Sequence, residues 1–142
     1  MKLTRNTKRA SGMTLLELTV VILVLLSLIS ILFVGARAWK KGSDRAASIL
    51  TIRNCQQAVR SYANMNGVNA NTTVAELPTQ IFGEGKFIEN NPTVDGYGHP
   101  AGGAIVYQYG AGGSDLVPDV GDLYVTCSDA EYAPDPNTIG DW

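Results

Sequence analysis

The feature that most constrains this chain is an apolar run from Met13 to Val34, in which Glu17 is the sole charged residue. Leu, Val and Ile dominate it, and Thr14, Thr19, Ser27 and Ser30 can return hydrogen bonds to a helical backbone. At the helical rise per residue such a run is about 33 Å long, which matches the hydrocarbon core of a bilayer. A carboxylate within that core costs roughly 2.5–3.5 kcal/mol on insertion scales. Either Glu17 has a partner in the membrane, or the segment does not span one.

Charge divides the chain around this run. Lys2, Arg5, Lys8 and Arg9 precede it without an acid, and Arg37, Lys40, Lys41, Arg45, Arg53 and Arg60 follow it with Asp44 alone opposing them. Of the 13 acids, all but Glu17 and Asp44 lie beyond Gly67, where Lys86 is the only base. Segments so unlike one another belong to different surroundings. The bases lie beside a membrane-length segment and the folded part is acidic, which argues against nucleic-acid binding. Because bases flank the run on both sides, the positive-inside rule leaves its orientation nearly balanced.

Beyond Val34 the helical pattern continues. Gly35 and Gly42-Ser43 are points of low helix propensity, but neither is a strong breaker. Ile49, Ile52, Cys55, Val59, Tyr62 and Ala63 then fall on one face at helical period. Trp39, Leu50 and Gln57 mark a second face, and Arg53 and Arg60 share a polar edge that reads as a subunit-contact or solvated face. The helix is expected to end at "NMNGVNANTT", where Gly67 supplies the C-cap. Helix from Met13 to Asn66 would be about 80 Å long, more than a small head can cover, so much of it needs partners outside its own chain.

After Gly67 the sequence reads as a compact head. "TVAELPTQIFGEG" predicts one or two short helical turns, the second opened by Pro78. "NNPTVDGYGHPAGG" is loop, and the tail "SDAEYAPDPNTIGDW" is irregular. Ala104–Tyr109 and Asp122–Cys127 are strand-like and would pair antiparallel, their apolar face covered by the helix stripe because a lone hairpin is marginal. Cys55 lies in that stripe and Cys127 at the end of the last strand, so a Cys55–Cys127 bridge would tie helix to sheet. Outside the cytoplasm it is chemically permitted and would stabilise by up to ~4 kcal/mol; two buried free thiols are the alternative.

The leader ending in Gly12, followed by "MTLLELTVVILVLLSLISIL", resembles the N-terminus of type IV prepilins and type II secretion pseudopilins. The shared pattern is Gly, a hydrophobic residue, Thr, two apolar residues and Glu ahead of an apolar helix; Met13 stands where Phe is commoner. The resemblance implies that a membrane prepilin peptidase cuts between Gly12 and Met13 and methylates the new amine of Met13. Glu17 would then attract the amine of a neighbouring subunit and set the stagger of a growing filament. This agrees with the physics, since an opposite charge at short range compensates a carboxylate in an apolar setting.

The expected fold is therefore α+β and pilin-like: a long N-terminal transmembrane and amphipathic helix packed on a small antiparallel β-sheet head. The expected divisions are a basic leader over 1–12, a filament-core helix over 13–34, its amphipathic continuation over 35–66 and a globular head over 67–142. The implied partners are identical or related pilin subunits, the prepilin peptidase/methyltransferase, an inner-membrane assembly platform, and membrane lipid before assembly. The implied location is the bacterial inner membrane, N-terminus cytoplasmic and head extracytoplasmic, followed by a pilus at the cell surface or a periplasmic filament. A type IV pilus subunit is preferred. A disulfide and the lack of a convincing calcium loop favour it, while the small head and the "IGDW" ending favour a secretion pseudopilin.

Two plainer readings stand beside this one. "ARA" (Ala36–Ala38) before Trp39 offers a signal-peptidase site, although the apolar run exceeds the usual h-region and Glu17 sits early in it. A single-pass anchor, with Glu17 snorkelling to the interface, would place a periplasmic head that has no filament role.

No enzyme chemistry is legible. His99, the one histidine, lies in a Gly/Pro loop and reads as a surface residue. "GAGGS" (Gly110–Ser114) lacks the strand–helix context of a phosphate loop and reads as a flexible hairpin loop. No cofactor and no metal are expected. Asp115, Asp119, Asp122 and Asp129 are weak calcium candidates without EF-hand spacing, prompted by the calcium-binding loop of some major pseudopilins. Asn71 opens an N-x-T sequon, and the bacterial origin that the resemblance implies makes glycosylation an unsafe default there.

Overall fold

A computed structural model describes Gly12 and residues 14–142, so Met13 and the leader before Gly12 lie outside the described residues. The chain divides into two compact units, Met1–Trp39 and Lys40–Trp142. One helix, α1, runs over Leu15–Asn66. No proline precedes Pro78, and neither Gly35 nor Gly42 interrupts the helix. Its first turn is closed by a reciprocal capping box: Thr14 N–H donates to Glu17 Oε2 at 3.1 Å, and Glu17 N–H donates to Thr14 Oγ1 at 3.3 Å. Its end is a Schellman arrangement, with Gly67 at φ 65° and Val68 N–H donating to Ala63 O at 2.9 Å. The expected stop at Gly67 is the observed one.

In the first unit the apolar part of α1 is long and apolar enough to cross a membrane, and none of that stretch is buried. The hydroxyls return their bonds to the backbone as expected: Thr19 to Leu16 O, Ser27 to Val24 O and Ser30 to Leu26 O, each at 2.8 Å. Arg37 lies over the Phe33 ring, 5.1 Å from its centroid.

The second unit packs the rest of α1 against the head. Ile52, Cys55, Val59 and Ala63 enter a core with Leu77, Ile81, Tyr107, Val117, Tyr124, Val125 and Cys127. Ile49 and Tyr62, expected on the same face, are half-buried. Each fully buried aliphatic side chain here contributes about 1.5–3 kcal/mol relative to exposure. Helix α2, Leu77–Ile81, has Pro78 in its first turn as expected, and seals the core with Leu77 and Ile81.

Strands β1, Tyr107–Tyr109, and β2, Val125–Cys127, form a two-stranded antiparallel sheet with Gln108 opposite Thr126. Both are shorter than the expected Ala104–Tyr109 and Asp122–Cys127. At one end Ser128 N–H still donates to Val106 O at 2.9 Å, but Val106 N–H donates to the Ser128 hydroxyl oxygen instead of a backbone carbonyl, so the regular ladder stops. At the other, Gly110 N–H donates to Tyr124 O, and the chain turns through Gly113 N–H to Gly110 O. The "GAGGS" segment is thus a hydrogen-bonded turn. The tail contains two 3-10 turns, Ala130–Tyr132 and Pro136–Thr138, capped by the Asp129 and Asp135 carboxylates.

Candidate functional site

Glu17 is the charged group of the exposed apolar stretch. Its carboxylate is held by Thr14 N–H, so within its own chain it already has a hydrogen-bond donor, though no opposite charge among the described residues. A carboxylate at a helix N-terminus is also favoured by the helix dipole. Gly12 is exposed and outside the helix. The expected cleavage and methylation at Met13 fall on a residue outside those described.

The head contains a buried polar cluster that sequence spacing did not reveal. His99 is 6% exposed, which corrects the expected surface position. Its Nδ1 accepts a hydrogen bond from Ala101 N–H at 3.1 Å, which puts the proton of the neutral ring on Nε2. Nε2 faces the fully buried Ser48 Oγ at 3.0 Å and Cys127 Sγ at 3.6 Å. The ring packs on Tyr107 and Tyr132, with centroids 4.9 Å and 5.3 Å away. Burial holds its pKa below the ordinary histidine value, against the pull of Asp44 and Asp129. The Tyr107 hydroxyl is buried without a hydrogen-bond partner among the described residues.

A serine beside a histidine invites comparison with a nucleophile and its base. The geometry opposes it: Nε2 carries the proton that a general base would need to accept, and a backbone amide rather than a carboxylate orients the ring. Ser48 has no exposure through which a substrate could reach it.

Cys55 and Cys127 are both buried and both free, so the expected Cys55–Cys127 bridge is not formed. Cys127 instead directs its sulfur at the His99 ring, and Cys55 is a core thiol whose pKa burial pushes up to about 12. The tie between helix and sheet is made by a residue that the apolar pattern passed over. Gln56, buried beside Cys55, accepts from Tyr124 N–H at 2.8 Å and donates to Asp122 O at 2.9 Å. An amide interrupting an apolar stripe was the available signal.

The Arg53/Arg60 edge, expected as a subunit-contact or solvated face, also makes contacts within the chain. Arg60 donates to Asp119 O and Trp142 O, both at 2.8 Å, and Arg53 lies over the Trp142 ring at 5.2 Å. The tail therefore folds back onto α1, where Gln56, Gln57, Ser61, Asn64 and Asp141 complete the lining of an open groove of about 390 Å³. Three of the four weak calcium candidates are engaged within the chain. Asp119 accepts from Asn71 Nδ2 and Val120 N–H, Asp129 caps its turn, Asp115 receives the Ser114 hydroxyl at 3.4 Å, and Asp122 is exposed. Among the described residues no group of three or more potential metal ligands comes together.

Comparison with protein-family models, with curated proteins and with solved structures gives no match.

Proposed function

We propose that this chain is a structural subunit of a type IV pilus-like filament, cut after Gly12, N-methylated at Met13 and polymerised through its N-terminal helix. The observation that carries the reading is the apolar stretch of α1. It is bilayer-length, wholly exposed, and holds a single carboxylate in its first turn. Such a surface needs lipid before assembly and other apolar helices after it, because lone hydrophobes are tolerated in water whereas a continuous patch of this extent is not. Neighbouring copies satisfy both needs at once: their helices cover the stripe, and the amine of a processed Met13 would neutralise Glu17. The head then faces out of the cytoplasm, and the partners are identical or related subunits, the processing peptidase and an assembly platform in the inner membrane.

A secretion pseudopilin is the second reading. With Cys55 and Cys127 both free, one of the two features that favoured the pilus is gone, while the small head and "IGDW" ending remain. Both readings make the same subunit chemistry and differ in the machine that it serves. Mass spectrometry of the mature N-terminus tests what they share, with N-methyl-Met13 as the expected result. A chain beginning at Trp39 would establish a cleaved secretory signal instead, and one retaining its leader would establish a plain membrane anchor.

A further inference from the structure

We propose that His99 is an acid-released latch, holding the loop over 91–104 against α1 and β2 at neutral pH and letting it go when the ring is protonated. The latch lies within the unit Lys40–Trp142 and does not depend on the filament reading.

The geometry of the two ring nitrogens carries the inference. Nδ1 accepts from Ala101 N–H, a bond to the residue two positions on that closes the turn together with Gly102 N–H to His99 O at 2.8 Å. Nε2 reaches across a sequence separation of 51 to Ser48 on α1, with Cys127 of β2 beside it. An imidazolium carries hydrogens on both nitrogens. Protonating Nδ1 sets one donor against another at 3.1 Å, so the turn and the protonated ring cannot both keep their places. A buried charge without a partner adds a desolvation cost in the same direction.

Other groups around the ring do not rescue the charged form in place. From α1, Asp44 is bound to Lys40 at 2.8 Å, and Lys41 is paired with Glu131 at 2.6 Å. From the first 3-10 turn, the Asp129 carboxylate accepts Glu131 N–H, and Tyr132 presents its ring. Burial keeps the Tyr107 hydroxyl of β1 protonated, Cys127 of β2 turns its sulfur to the ring, and Tyr97 stacks edge-on against Tyr107 at 5.8 Å. Asp44 and Asp129 attract an imidazolium, but neither accepts a hydrogen bond from the ring. They favour a ring that has turned out of the cluster. The loop's other ties are Asn91 Nδ2 to Tyr109 Oη at 3.1 Å, which holds its start, the Tyr97–Tyr107 contact, and Ala101 packed at the edge of the core.

The sign follows from burial. The ring's pKa is lower with the loop closed than with it open, so the closed loop is fully favoured above about 6.5 and loses ground as pH falls. The open state gains by up to about tenfold per pH unit below 6.5, levelling where the closed ring itself titrates.

The test is amide hydrogen exchange on the full chain in detergent micelles from pH 7.5 to 4, corrected for intrinsic rates, alongside an NMR titration of the single histidine. Protection at Ala101 and Gly102 is expected to fall with the ring's titration while the α1 amides from Ile52 to Val59 stay protected. His99→Asn keeps an acceptor for Ala101 N–H but cannot titrate, and should abolish the pH step. Protection that stays flat through the ring's titration overturns the proposal. So does a step that survives in His99→Asn, since the carboxylates would then be its source. If that variant does not fold, coincidence of loop opening with ring titration in the unmodified chain decides the question alone.

Discussion

Gln56 Oε1 accepts the Tyr124 N–H at 2.8 Å, across a sequence separation of 68, in a site where both residues are almost fully buried. With the second bond from Gln56 Nε2 to Asp122 O, one side chain satisfies a buried backbone donor and a partly buried acceptor next to β2. Replacing Gln56 by Leu leaves both unpaired, and each such group costs about 1–3 kcal/mol. Chemical unfolding of Gln56→Leu should show a loss of about 2–5 kcal/mol. An unchanged midpoint would mean that the amide is not what joins the elements.

Gly110 is a tight spot of another kind. A Cβ there would press directly into the Leu123 carbonyl, a backbone atom that cannot swing aside. Gly110→Ala should therefore lower the stability of the head by about 1–3 kcal/mol, the range for overpacking. Gly112 makes a useful contrast, because its Cβ would meet the flexible Leu116 side chain. Thermal melts of the two variants should rank Gly110→Ala as the more damaging.

With both cysteines free and buried, thiol labelling should be slow in the folded chain and complete in denaturant, with two equivalents incorporated without reductant. Cys55 should be the slower of the two at pH 8, because burial holds its thiol protonated. Non-reducing peptide mapping that found a Cys55–Cys127 linkage would reverse this assignment.

Glu17 has two separable properties, its charge and its place in the capping box with Thr14. Glu17→Gln removes the first and retains the second, since Gln serves in a capping box too. Thr14→Val removes the Thr14 side-chain acceptor and leaves the charge. If neutralising a neighbouring amine is what Glu17 does, Glu17→Gln should impair filament yield severely and Thr14→Val only mildly, with processing intact in both. The reverse ranking would make helix capping the reason for the residue.

Local physics made much of this chain legible in its sequence. The length of the apolar run, the helical spacing of Ile52, Cys55, Val59 and Ala63, the stop at Gly67 and the placing of Pro78 all depend on residues within a few turns of one another. Chain propensity and burial act there in the same direction, so the pattern alone specifies α1, its core face and the opening of α2.

What tertiary structure decided lies at long separation. A histidine in a loop of glycine and proline carries no local mark of burial; only the approach of Ser48 and Cys127 from two other elements makes it a core residue. Arg60 likewise looks solvated until the tail returns over a separation of 82 to offer it the Trp142 carbonyl. Buried polar groups require partners, and those partners are chosen by the fold as a whole. The sequence therefore determined which helix forms and which face it buries. The folded chain determined which polar side chains that face would be buried with, because their hydrogen-bond partners exist only once distant segments have met.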